Sequence, residues 1–166
     1  QLNIPNTVNA DGKVWKQPVD FINLTWYDID AVCPLALDGV CSGTLNGVDM
    51  TGLTWAAIDD LVSLFDSYGT DLASMSGLQI TYDSPWASAF FDAGWYPTFA
   101  DGEERFIQGW LRNENPADNS EGTDAALLQD LQGYDEDEDV DVANVGSFRI
   151  KVDFFEQIGA WFYFTP

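Results

Sequence analysis

The stretch Asp135–Asp141, DEDEDVD, is the densest run of potential oxygen ligands in the chain. In an extended segment alternate side chains point the same way. Asp135, Asp137, Asp139 and Asp141 would then present four carboxylates on one side, a donor set that favours a hard cation such as Ca²⁺. The run departs from the helix–loop–helix calcium pattern, because its sixth position is Val140 where that pattern needs glycine. The competing reading is a solvated acidic loop.

Missing residue types narrow the remaining chemistry. The chain has no His, which excludes His-based triads and dyads and His-bearing zinc sites. A serine nucleophile would need Lys13, Lys16 or Lys151 as its base, and none of them stands in a motif. The glycines are scattered outside any strand–loop–helix phosphate frame. Two carboxylates suffice for glycoside hydrolysis, but among 28 acidic residues some pair falls at a suitable distance by chance. Only a cleft would give such a pair meaning, so the expectation is a protein that is not an enzyme.

Two further groups carry chemistry. Cys33 and Cys41 bracket CPLALDGVC, a short loop with a Pro and an Asp-Gly turn signal. In an exported protein this reads as a local disulfide worth roughly 2–3 kcal/mol; two buried thiols are the alternative. The segment SPWASAFFDAGWYPTF carries Trp86, Trp95 and Tyr96 beside polar residues. Such faces can stack on sugar rings, although most aromatic side chains in an aromatic-rich domain simply fill its core.

The charge balance sets the partners. Six basic residues face 28 acidic ones, for a net charge of −22. Such a chain repels nucleic acid and anionic membrane surfaces. Asp outnumbers Glu by 21 to 7, and Asp favours caps, turns and calcium loops. No apolar run is long enough to span a bilayer. The opening QLNIPNTVNADG lacks the basic and apolar regions of a signal peptide, as expected of a mature exported form.

The elements that would position these residues mix helix and strand without strict alternation. The expected fold is α+β, a single domain over residues 1–166. It is mostly antiparallel sheet with two or three short helices and long acidic loops. LTWAAIDDLVSLFDSYG reads as a helix capped by Thr54, with Ile58, Leu61, Val62 and Phe65 on one face and Gly69 at its end. A second helix follows Ser84, with Pro85 at its first position and Gly94 as its stop. A third is predicted within TDAALLQDLQG, ending at Gly133. Strands are predicted at Phe21–Tyr27, Leu78–Tyr82, Arg105–Leu111, Ser147–Phe154 and Ala160–Phe164. Residues 1–13 form an extended N-terminal segment, and 113–141 a polar, acidic loop region.

Several of these segments resemble a known group. FINLTWYDIDAVCP, the helix at Trp55–Phe65, SPWASAFFDAGWYPTF and the terminal GAWFYFTP are similar to uncharacterised exported proteins of Gram-negative bacteria that carry a PEP-CTERM-type sorting tail. In that group an LTWLDL-like segment precedes a Trp-containing helix, and the domain closes on GAW and an apolar strand. The resemblance implies export and association with the outer cell surface or matrix, but no activity. The group's sorting tail does not follow Pro166, either removed on export or left out of this sequence. A looser similarity links the same segments to lectin-like C-terminal domains of bacterial adhesins.

Together these readings predict an extracellular or outer-surface structural protein of a Gram-negative bacterium. Its partner would be itself, assembled into a layer or filament. The alternative is a polysaccharide-binding module, with calcium as a cofactor. LTWYDID at Leu24 and LTWAAID at Leu53 match at five of seven positions. They read as two structural landmarks, a strand and a helix start, with a short helix before Pro34 left open for the first.

Overall fold

A computed structural model describes residues 6–75, 77–112, 125–132, 139–147 and 157–166. The chain begins with a hairpin, β1 (Thr7–Ala10) and β2 (Lys13–Lys16), which pairs Ala10 with Lys13 across the two-residue turn Asp11-Gly12. Both turn residues have positive φ, 53° and 70°, as a type I′ turn demands. A second hairpin, β3 (Thr44–Leu45) and β4 (Val48–Asp49), turns at Asn46-Gly47 in the same way.

Two sheets organise the fold. One runs β1–β2–β12–β5, where β5 is Thr54–Trp55 and β12 is Phe162–Phe164. The other runs β11–β8–β9–β10–β6. Here β6 is Leu78–Tyr82, β8 Glu104–Trp110, β9 Ala125–Gln132, β10 Asp139–Ser147 and β11 Gly159–Ala160. β7 (Phe99–Asp101) pairs with β8 as a hairpin. All these pairings are antiparallel except β11 with β8. The fold is therefore α+β, with three short helices: α1 (Trp26–Asp30), α2 (Ile58–Asp66) and α3 (Trp86–Asp92). No helix among the described residues is long and apolar enough to cross a membrane.

The GAWFYF segment ties the sheets together. Its predicted single strand divides at Trp161: β11 joins the larger sheet and β12 the smaller. Gly159 packs so closely on the Pro18 carbonyl that a β-carbon there would overlap it. Trp161 is fully buried and donates its indole N–H to the Ala126 carbonyl at 3.2 Å. Its own carbonyl accepts the Ala56 N–H at 2.9 Å.

The two LTW segments exchange the roles predicted for them. Phe21–Tyr27 is not a strand. Asn23 sits at φ 65°, and Thr25 caps α1 through a reciprocal box with Asp28, at 3.1 and 2.9 Å. In the second copy Thr54 is no cap, because it lies in β5 opposite Tyr163. The helix begins three residues after Trp55, where Asp60 accepts the Ala57 N–H at 2.9 Å. Its predicted face holds: Leu61 and Phe65 are fully buried, and Ile58 and Val62 pack against the same core. Ser84 does not cap α3; its hydroxyl meets the Tyr82 carbonyl instead.

The predicted third helix is strand β9. Leu127, Leu128 and Leu131 fit a helical stripe, but they also fit a strand that is apolar on both faces. Pairing with β8 on one side and β10 on the other decides between them. The expected 113–141 loop is accordingly interrupted by β9 and by the start of β10. Residues 113–124 and 133–138 lie outside the described residues, as do 148–154 of the predicted fourth strand.

All seven tryptophans are buried or nearly so, and every indole N–H has an acceptor. Trp26 donates to the Leu111 carbonyl at 2.9 Å and Trp55 to the Trp110 carbonyl at 3.0 Å. Their rings pack 5.2 Å apart. Trp55→Phe keeps most of this volume but removes the indole N–H, leaves the Trp110 carbonyl only the longer 3.3 Å bond from the Trp161 N–H, and opens a gap. We expect a loss of about 2–3 kcal/mol in urea unfolding, with near-neutral behaviour arguing against the clamp.

Candidate functional site

Cys33 and Cys41 form the predicted disulfide, with Cα atoms 4.0 Å apart. Both are buried. The bridge pins the end of α1 beneath the Leu35–Leu37 turn, whose first amide donates to Asp30 at 3.0 Å.

The larger sheet has two unlike faces, fixed by strand register. On the inner face Ile107, Leu128 and Ala143 stand in one row, with Ala126 and Val145 nearby. These residues pack with Leu61, Leu64 and Phe65 of α2 and Phe90 of α3 in the main core. One position along, the row becomes ionic: Arg105, Asp130 and Asp141 lie directly opposite one another on β8, β9 and β10. Asp139 falls two residues before Asp141, on the same face.

This inner row is an acidic cluster. Asp130, Asp139 and Asp141 each bring a carboxylate oxygen within 4.8 Å of the other two. Arg105 bonds Asp130 at 2.8 Å, approaches Asp92 at 3.6 Å and covers the Phe91 ring at 4.8 Å. Asp83 meets the Asp139 N–H at 3.4 Å. Asp141 is completely buried. One of its oxygens takes the Ala87 N–H at 3.4 Å, while Oδ1 is buried with no hydrogen-bond partner. Burial first, and the Asp139 charge second, push the Asp141 carboxyl up to about 7. Burial and the neighbouring Asp130 raise Asp139 as well.

Of the four predicted ligands, Asp139 and Asp141 are thus brought together, while Asp135 and Asp137 lie outside the described residues. Asp130 was not foreseen, because it sits in the segment read as a helix. Strand alternation in AALLQDLQ would have placed it on the face of Ala126 and Leu128.

The predicted sugar-stacking aromatics are mostly core. Trp86 is buried and donates to Thr81 at 2.9 Å. Trp95 is buried, stacks on Phe90 at 4.9 Å and donates to the Tyr68 hydroxyl. Their rings are covered by α3 and the main core, so neither can lie on a ligand. Tyr96 alone of the three is exposed, at 56%.

The outer face of the same sheet is apolar and open. Leu78, Ile80 and Tyr82 of β6 are exposed by 47, 51 and 60%. Val140 and Val142 lie beside them on β10, with Leu127, Gln129 and Leu131 beyond on β9. None of these is charged. Among the described residues β6 pairs only with β10, leaving its outer edge without a strand partner. At the far end Phe99, Glu104, Phe106, Gln129, Leu131 and Gln157 line a shallow groove of about 230 Å³.

Stability should respond to pH through Asp141. Its folded carboxyl releases a proton near 7 and the unfolded one near 3.8. Below pH 4 both states are protonated; between 4 and 7 only the folded state keeps its proton. Stability in metal-free buffer should therefore fall as pH rises through this window, by at most about 4 kcal/mol, then level off. Asp141→Asn should flatten most of the slope in urea unfolding with EDTA present, leaving the smaller part due to Asp139. An unchanged slope would show that Asp141 does not titrate there.

No family model, curated protein or solved structure matches the chain.

Proposed function

We propose that this protein is an extracellular, non-enzymatic structural domain that associates with further copies of itself. One observation carries the reading: where β6, β10 and β9 form it, the outer sheet face has no charged side chain and is mostly apolar, and it ends in β6, whose outer edge no strand pairs among the described residues. Natural edge strands are usually blunted by Lys, Pro or a bulge. Leu78–Tyr82, LQITY, has none of these. Exposed apolar patches of this kind mark association surfaces, and an open strand edge accepts another strand through main-chain hydrogen bonds. In a chain with 28 acidic residues, this face is also where two copies can meet with the least charge repulsion. A second copy is the fitting occupant because each copy brings the same neutral edge.

Export supports the same reading. A buried local disulfide suits an oxidising compartment, and the motif resemblance to exported Gram-negative proteins points to the outer surface. Net charge of −22 opposes assembly until salt screens it. Light scattering and electron microscopy across salt concentration should show reversible assembly above about 0.1 M ionic strength. Ile80→Lys, on the exposed side of β6, should shift the population to monomer without changing Tm by more than a few degrees. Monomer at every salt concentration would end this reading.

A second reading has its own observation. The groove beside Phe99 joins two aromatic rings to one carboxylate and two amides, a composition suited to sugar hydroxyls and ring faces. A glycan array, with and without calcium, should then give signals that Phe99→Ala removes. Silence across the array would dismiss it.

A further inference from the structure

We infer that Asp130, Asp139 and Asp141 form a binding site for a hard divalent cation, Ca²⁺. The inference concerns the inner face of the larger sheet and stands apart from the self-association reading, which concerns the outer one.

The argument begins with charge. Directly opposed like charges destabilise a sheet, and here Asp141 faces Asp130 across the β9–β10 ladder. Asp139 lies within hydrogen-bonding reach of both. The guanidinium of Arg105 bonds Asp130 alone among them, at 2.8 Å, while also approaching Asp92. Two carboxylates at contact distance need a shared proton or a cation between them.

The second observation is independent of the acid count. Asp141 is fully enclosed, and its Oδ1 has no hydrogen-bond partner. An orphaned buried carboxylate oxygen costs far more than a solvated one. The nearest α3 amide, Ala87, serves the other oxygen at a long 3.4 Å. The side chain is thus held among acids rather than donors, which is the environment a metal ligand needs and an isolated carboxylate avoids.

Ligand chemistry selects the ion. All three donors are carboxylate oxygens within 4.8 Å of one another. Ions bound at about 2.3–2.6 Å, as Ca²⁺ is, can touch oxygens spread over such a distance. Soft and borderline metals prefer sulfur or imidazole, which this site lacks. Asp83, beside Asp139, is placed to contribute through water. The strand backbones hold Asp130, Asp139 and Asp141 in register, so little ordering is required on binding.

Ca²⁺ titrated into the full chain by calorimetry should give one saturable event above the weak, non-saturating background of the acidic surface. At a hundredfold excess over Kd, Tm should rise by about 5 °C. Asp141→Asn and, separately, Asp139→Asn should each abolish the saturable event and the Tm rise while leaving the background. Asp139 is only half-buried, so its variant keeps the test valid if Asp141→Asn fails to fold. Glu103→Gln, in an exposed turn, should behave as wild type. Non-saturating binding alone in the wild type, or a saturable event retained in both Asp variants, would overturn the site.

Discussion

The fold depends on how the end of β8 is gripped. Trp110 and Leu111 expose backbone carbonyls where the larger sheet stops, and a buried carbonyl without a donor is costly. The Trp26 indole N–H supplies the donor for Leu111, and the Trp55 indole N–H joins the Trp161 backbone N–H, at 3.3 Å, on the Trp110 carbonyl. Trp110 returns the bond by donating to Leu24 at 2.9 Å, and the Arg112 N–H reaches the Ala56 carbonyl at 2.8 Å. The two LTW segments are therefore alike because they do one job from two sides: each brings a tryptophan to the end of β8, Trp55 to the Trp110 carbonyl and Trp26 to that of Leu111 just beyond it. The disulfide, the helix starts and the crossing at Trp161 are all arranged around that junction.

This explains how so acidic a chain remains folded. Tryptophan offers large apolar area with a single polar atom, so a core built from it needs few other donors and no cations. With six basic residues in total, ion pairing could never neutralise the carboxylates. Several acids among the described residues instead stand in turns and first helical turns, where the backbone accommodates them: Asp28 and Asp60 at the helix starts, Asp11 and Asp38 at positive φ. Asp130, Asp139 and Asp141 differ in sharing one face of adjoining strands, where their carboxylates meet.

Local signals made part of this legible. The Leu78–Tyr82 strand, the body of α2, the span of α3 and the disulfide follow from alternation, helical spacing and loop length. The hairpin turns at Asp11-Gly12 and Asn46-Gly47 were equally readable, being the strongest short-range hairpin signals, but they carry no weight without the strands beside them. Long-range pairing hid the rest. Ala125–Gln132 has helical spacing and becomes a strand only because β8 and β10 flank it. Thr25 and Thr54 have the same neighbours, yet one caps a helix and the other pairs with Tyr163. Asp130 could not be assigned to the acidic site until the strand that carries it was known. Trp86 and Trp95 looked like ligand contacts because sequence cannot say which side of α3 faces a sheet.

The two proposed roles of the larger sheet meet at β10. Its inner side carries Asp139 and Asp141, its outer side Val140 and Val142, and beside it lies β6, which pairs with no other strand among the described residues. Thr81 of β6 pairs with Asp141, while Ile80 pairs with Val142. Charge repulsion within the acidic row works against the β9–β10–β6 ladder, so whatever neutralises the row firms the strand that a second copy would join. If both readings hold, cation binding and association must be linked with the same sign and by the same factor in each direction. Such a coupling would pass through one backbone ladder, because alternation would put ion and partner on opposite faces of the same strands.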